Sequence, residues 1–180
     1  MLLKFLEKIG RCEALVDPYG EVMALRYFLL RKEGGQKNFN TDWLPNIWLH
    51  KMLLEYGPDN SFIHRHPWAT LSVILSGGYT EVLENKKCRV LKKGSVAFRS
   101  SSMGHYIDTI IPNTWSLFAH WFKKHDWQFV QPDKTILSFE EHVKNFGKKN
   151  VHKWIVFNDE GKKRIDRRQR ATKRFASKAK

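Results

Sequence analysis

The chain has 180 residues, 42% of them hydrophobic and 13% aromatic, which is enough to bury one hydrophobic core. This composition excludes an intrinsically disordered chain, and no apolar run approaches the roughly 18 residues of a membrane span. Charged residues interrupt the amino-terminal MLLKFLEKIG, so we expect no secretory signal and no membrane partner. Two cysteines provide no disulfide framework, which favours a reducing, cytoplasmic location.

The formal net charge of +14 is concentrated at the carboxyl end. Residues 161–180 contain ten Lys or Arg and one Asp, and therefore carry +9 of the +14. We predict one domain over 1–160 and a flexible basic tail over 161–180. Such a tail suits the phosphates of a nucleic acid through counterion release, but it is equally typical of a solvated terminus that aids solubility.

The first predicted elements are a short helix over 1–12 and a strand over 21–32, which follows a Pro-Tyr-Gly turn. A loop over 33–43 comes next, because the segment is rich in Gly, Asn and Asp. Residues 46–56 fit either a strand or a helix. The preceding Pro45 and the Gly-Pro-Asp-Asn turn that follows favour a strand.

Short apolar runs then alternate with turn residues up to residue 121. The predicted strands cover 61–66, 70–75, 79–84, 88–91, 96–98, 105–110 and 115–121. Short strands at this spacing predict a sandwich or a closed barrel. Beyond them, Ser138 and Glu141 form a capping pattern for a helix over 138–147, and residues 151–157 form a last strand or an extended segment.

Two histidines lie one residue apart in the strand over 61–66. Residues i and i+2 of a strand point to the same face, so His64 and His66 present their imidazoles side by side. A metal needs a further ligand from another strand, and His105 is the candidate. The alternative for an isolated pair of this kind is that both rings bind turn backbone and water.

The spacing around these histidines resembles that of the cupin superfamily over residues 46–122. The first cupin motif, G-x5-H-x-H-x3,4-E-x6-G, is matched by His64, His66 and a glycine at position 77 or 78. Its glutamate position falls on Thr70 or Leu71, and neither is acidic. The second motif, G-x5-P-x-G-x2-H-x3-N, is matched at Gly94 and His105 in GSVAFRSSSMGH, with serines at the proline and glycine positions.

The resemblance implies an all-β fold: a cupin-type jelly-roll β-barrel with a short amino-terminal helix, a carboxyl-terminal helix and the basic tail. It implies that His64, His66 and His105 bind a divalent metal, with Fe(II) favoured and Zn, Mn or Ni as alternatives. Without the motif glutamate, the site resembles three-histidine cupins such as the thiol dioxygenases. Glu81 and Tyr79, in the segment GGYTE, are the candidate catalytic residues. Glu81 also fits the role of a metal ligand, of a residue that orients an imidazole, of a base, or of a surface charge.

A narrower pattern is similar to that of small, mostly uncharacterised phage and bacterial cupin-like proteins. It comprises W-L-H at 48–50, H-x-H-P-W at 64–68, S-x-I-L-x-G-G-Y-x-E at 72–81 and the late His105. This pattern supports the fold and implies no particular activity.

The other candidate residues have weaker signals. We expect His125, His142 and His152 at the surface, and strand parity suggests that Arg99 points outwards. His50 fits a buried core position better than a role beside the metal, and His120 fits a position that faces either the barrel interior or the outside. Six aromatic residues fit either a pocket or an aromatic core, with the core favoured: Trp48, Trp68, Tyr79, Trp115, Trp121 and Trp127.

Two classes of function follow from the sequence. The first is a metal-dependent, oxygenase-type enzyme that acts on an unknown small molecule. The second is a non-enzymatic cupin scaffold or a nucleic-acid-binding module that uses residues 161–180. A homodimer is expected by analogy with other cupin-like barrels.

Overall fold

The computed structural model describes residues 1–17, 21–30, 45–53, 62–146 and 153–167. Within these ranges the chain forms two antiparallel sheets and three short helices. The helices are α1 (Leu2–Lys8), α2 (Phe139–Phe146) and α3 (159–167). No helix in the described part of the chain is both long and apolar enough to cross a membrane.

The two sheets contain thirteen strands in the described part of the chain. The seven-stranded sheet runs in the order β13 (Lys153–Val156), β1 (Cys12–Val16), β2 (Val22–Phe28), β3 (Asn46–Met52), β10 (Thr114–Lys123), β5 (Trp68–Ser76) and β8 (Val96–Arg99). The six-stranded sheet runs in the order β12 (Ile136–Ser138), β11 (Gln128–Val130), β4 (Ile63–Arg65), β9 (His105–Ile110), β6 (Gly78–Leu83) and β7 (Cys88–Lys92).

Eight of these strands form a jelly roll. From β3 to β6, consecutive strands alternate between the two sheets, and β7 and β8 lie in different sheets. The chain then places β9 between β4 and β6, and β10 between β3 and β5. The resulting four-strand orders, β3-β10-β5-β8 and β4-β9-β6-β7, are those of two interleaved Greek keys. The predicted all-β jelly roll is confirmed.

The strands alternate as their sequences predict. Along β10 (TWSLFAHWFK), every second residue from Thr114 to His120 is buried and those between are partly exposed. In β8, Ala97 and Arg99 are buried, whereas Val96 and Phe98 are 62% and 58% exposed. The predicted outward orientation of Arg99 is therefore wrong. The prediction that Arg99 shares a face of the strand with Ala97 was right, but this face points to the interior, and the face with Val96 and Phe98 points outwards.

The turn between β5 and β6 requires glycine. Gly77 has a φ of +68°, and a Cβ built there would clash with Oγ1 of Thr114. The neighbouring Gly78 N–H donates a hydrogen bond of 2.8 Å to the same Oγ1. The close approach of β10 to this turn thus depends on the absence of a side chain at position 77.

The hydrophobic core consists of separate clusters. One lies where β1 and β2 pack under α1 and α3, and it contains Cys12, Tyr27 and Ile165. A second lies between the sheets around Ile74 and Ile110. α3 crosses the predicted boundary at residue 160, so the first residues of the predicted tail pack against the body of the protein.

The structure corrects the predicted elements near the termini. The first helix ends at Lys8, and residues 12–16 form strand β1, which the sequence analysis missed. The capping pattern of α2 is confirmed, because the Glu141 N–H donates to Oγ of Ser138 over 3.2 Å while the Ser138 N–H donates to the Glu141 carboxylate. The predicted loop over 33–43, Gly147 and His152 lie outside the described residues.

Candidate metal centre

Two strands of the six-stranded sheet bring three histidines together. His64 on β4 and His105 on β9 are direct cross-strand neighbours, and His66 follows β4 by one residue. One ring nitrogen from each lies within 4.8 Å of those of the other two, and Nε2 of His66 lies 2.8 Å from Nε2 of His105. We call these three residues the histidine centre.

All three imidazoles of the histidine centre are neutral near pH 7. Burial lowers the pKa of His64 to about 3 and that of His66 well below the usual value, with a further contribution from the neighbouring imidazoles. Burial also lowers the pKa of His105, and its contact with Glu81 opposes this in part. Neutral imidazoles carry a lone pair, which is the state that binds a metal.

Contacts to the other ring nitrogens fix which nitrogen carries that lone pair. Nδ1 of His105 lies 2.6 Å from Oε1 of Glu81, so this nitrogen carries the proton and Nε2 carries the lone pair. Nδ1 of His64 lies 3.2 Å from the carbonyl oxygen of Phe62, which likewise places its proton on Nδ1. Both Nε2 atoms are thereby available as ligands.

Glu81 is held on both of its oxygens. Its side chain is 0% exposed; Oε1 accepts from Arg99 as well as facing His105, and Oε2 accepts from Nε and a terminal nitrogen of Arg89 at 3.0 and 2.5 Å. Burial alone would raise the pKa of Glu81, but its close contact with His105 and the hydrogen bond and charge of Arg99 hold this pKa well below its usual range. Glu81 is therefore an ionised carboxylate.

Arg99 is anchored in turn by two hydroxyl groups. Its terminal nitrogens donate to Oγ of Ser72 and to the phenol oxygen of Tyr79, each over 3.0 Å. Both candidate catalytic residues, Tyr79 and Glu81, thus contact Arg99. The structure places Glu81 against the histidine centre through Nδ1 of His105, whereas Tyr79 reaches the centre only through Arg99 and Glu81.

The histidine centre fits a divalent metal. Ligand nitrogens about 2.1 Å from a common ion are at most about 4.2 Å apart, so the observed set needs small ring rotations to close around an ion. No Asp or Glu joins this group among the described residues. Neither Thr70 nor Leu71, the two candidates for the glutamate position of the cupin motif, supplies a carboxylate, and Thr70 is fully buried.

Two aromatic rings lie beside the H-x-H pair, and a third ring lies beside one of these two. The Trp127 ring lies 4.7 Å from that of His66 and 5.6 Å from that of His64, measured between centroids, and Phe118 lies 6.1 Å from His66. Trp68 lies 6.3 Å from Trp127. We call Trp68, Phe118 and Trp127 the aromatic wall. The sequence analysis favoured a core role for Trp68 and Trp127 and did not single out Phe118 or Arg89.

Two further histidines lie inside the barrel but outside the histidine centre. His120 stacks on Trp68 at 4.1 Å, and His50 accepts a hydrogen bond of 3.4 Å from Arg26. Both are buried, which agrees with the predicted core position of His50 and shows that His120 faces the barrel interior rather than the outside. His142 is also buried, stacked on Phe129 at 3.9 Å, so its predicted surface position is wrong because α2 covers that side of β11.

No protein-family model and no curated protein matches the sequence. Similar solved structures include the DMSP lyase DddQ from Ruegeria pomeroyi, with 19% identity and a TM-score of 0.42 over 64% of this chain and 51% of that one. Fe(II) HppE has 11% identity and a TM-score of 0.42 over 56% and 50% of the two chains. An RmlC-like cupin from Shewanella frigidimarina has 12% identity and a TM-score of 0.42 over 59% and 81%. The chain spans about half the length of the first two structures.

The jelly-roll topology and the placement of the motif histidines on adjoining strands define a barrel of the cupin type. The narrower resemblance to small phage and bacterial proteins, carried by the Gly-Gly-Tyr segment and the H-x-H-P-W segment, stays a prediction.

Proposed function

We propose that the protein is a metal-dependent enzyme of the cupin type, whose histidine centre binds one divalent ion. The observation that carries this proposal is the convergence of three neutral imidazoles whose candidate ligand atoms lie within 4.8 Å of one another. Neutral nitrogen ligands suit Fe(II), Zn, Mn and Ni. Three protein ligands leave coordination positions for a small-molecule substrate.

Fe(II) is the metal that we favour, and oxygenase-type chemistry is the finer proposal that accompanies it. Both rest on the resemblance to three-histidine cupins, because the donor set alone suits several metals. Bound iron would supply oxygen activation at the open positions. The aromatic wall would restrict water there and pack against the apolar part of a substrate.

The residues around the histidine centre have distinct proposed roles. Glu81 is a positioning residue, because its contact with Nδ1 of His105 fixes the ring and directs Nε2 towards the ion. Arg99 holds Glu81, and Tyr79 holds Arg99 through a bond of 3.0 Å. This arrangement favours an indirect role for Glu81 and Tyr79 over direct proton transfer, since both oxygens of Glu81 already accept hydrogen bonds.

The proposal is tested by anaerobic titration of metal-free protein with Fe(II), Zn, Mn and Ni. We expect one ion per chain for at least one of these metals, and loss of that binding in His64→Ala and His105→Ala. His125→Ala is the matched control, because His125 contacts the carbonyl oxygen of Ser101 and lies outside the histidine centre. Equal binding by the wild-type protein and the two centre variants would refute the proposal.

A second candidate function, nucleic-acid binding, is favoured by the charge of +9 over residues 161–180. Because α3 buries Ile165 in the core, the test is a truncation after Arg167, which preserves the packed helix. We expect the truncated chain to bind single-stranded DNA or RNA more weakly and with a shallower dependence on salt. Unchanged affinity and salt dependence would assign the tail a solvating role.

A further inference from the structure

The charges around the histidine centre are unbalanced towards the positive side. Glu81 is the carboxylate in contact with the centre, and it is already shared by two guanidinium groups, those of Arg89 and Arg99. Arg99 is 3% exposed and Arg89 is 30% exposed, so solvent screens the first cation little and the second in part. We call Arg89 and Arg99 the arginine pair. The negative charge of Glu81 is therefore already neutralised by the arginine pair and does not offset the charge of a metal.

The ligands themselves supply no negative charge. An imidazole binds a metal in its neutral form, and neither Thr70 nor Leu71, the two candidates for the glutamate position of the cupin motif, carries a carboxylate. A divalent ion bound here would keep its full double charge inside a partly buried site, in which His105 is buried and His64 and His66 are half-buried. Such a site is costly unless a counter-charge enters it.

We propose that the substrate is a small organic anion, whose negatively charged oxygen completes the coordination of the metal. This proposal rests on the proposed function, because it requires an ion at the histidine centre. The anion offsets the excess positive charge of the ion and the arginine pair, which a neutral isostere of the same shape does not. The rings of the aromatic wall pack against the uncharged part of the molecule.

The test uses the full chain loaded with Co(II), whose visible absorption bands report changes in coordination. Acetate and acetamide are the probes, because they have nearly the same size and differ in charge. We expect acetate to change the cobalt spectrum in a saturable way, at a concentration at least about tenfold below that needed for acetamide. Equal effects of the two probes, or no effect of either, would overturn the proposal.

The arginine pair provides a second, independent test. Arg89→Gln removes one cation, and we expect it to weaken acetate binding by about two- to fourfold. Arg89→Lys keeps the charge and should bind acetate as the wild type does. Lys92→Gln is the matched control, because Lys92 is an exposed cation on the same strand. Identical affinities in Arg89→Gln and Lys92→Gln would contradict the role of this charge.

Failure of this inference is distinguishable from failure of the proposed function. If Co(II) does not bind in stoichiometric amount, the histidine centre is no metal site, and both proposals fall. If Co(II) binds and is lost in His105→Ala, but acetate and acetamide bind alike, the metal site stands and the anionic substrate is excluded.

Discussion

The buried carboxylate of Glu81 is the group whose removal should be most costly for folding. Glu81→Gln keeps the size of the side chain but removes the charge that faces Arg99, which is 3% exposed. Breaking a buried ion pair in this way costs about 3–5 kcal/mol, because one charge stays buried without a partner. For a chain of this size, such a loss lowers Tm by roughly 10 °C.

Glu84→Gln is the matched control for that substitution. Glu84 forms a comparable bond of 2.8 Å to Arg65, but the two side chains are 29% and 18% exposed. An ion pair with access to solvent contributes about 0–1 kcal/mol. Urea unfolding of the metal-free proteins, followed by circular dichroism at pH 7, measures both differences.

The pH dependence supplies an internal check on this prediction. The pKa of Glu81 is lowered in the folded state, so its stabilisation is fully present above the ordinary Glu pKa of about 4.3 and is lost as the pH falls through the folded-state value. The difference between the wild type and Glu81→Gln should therefore shrink below about pH 4. Equal destabilisation by Glu81→Gln and Glu84→Gln at pH 7 would refute the reasoning.

Three further substitutions and one change of conditions test other parts of the structure. Gly77→Ala should destabilise the protein by more than about 1 kcal/mol, because of its positive φ and the contact with Thr114; a neutral result in urea unfolding would contradict the turn geometry. Ser138→Ala should cost about 1 kcal/mol by loss of the α2 cap, and Glu141→Ala should lose part of the same stabilisation. The metal-free protein should lose stability between pH 7 and pH 5, because the unfolded chain takes up protons at histidines whose pKa is lowered in the folded state. Constant stability over that range would contradict the lowered pKa values of these histidines.

Most of the jelly roll could be predicted because its strands are separated by strong local signals. The Gly-Gly turn, the Asn-Lys-Lys turn and the alternation along β10 define boundaries without reference to the rest of the chain. Strand β1 was missed because its sequence, CEALV, is short and has apolar residues on both faces. It therefore lacks the clear alternation of a half-buried strand and resembles a continuation of the preceding helix. Its position also depends on pairing with β13, which is distant in sequence.

The candidate site was predictable where its residues follow a motif. The spacing of His64, His66 and His105 identified a set that the fold brings together. The hydrogen bonds of Glu81 to Arg89 and Arg99 could not be predicted in the same way, because they depend on the register of β6 with β7 and on the packing of β8 across the barrel. The orientation of Arg99 was predicted wrongly because, in a strand, the apolar face is usually the buried one. In β8, the apolar residues Val96 and Phe98 are exposed instead.

The central claim is that the histidine centre binds a metal, and elemental analysis of tag-free protein tests it most directly. We would purify the wild type without chelators beside His66→Ala and determine iron, zinc, manganese and nickel. Near-stoichiometric metal in the wild type that is lost in His66→Ala is the predicted result. Equal metal content in the two proteins would contradict the account.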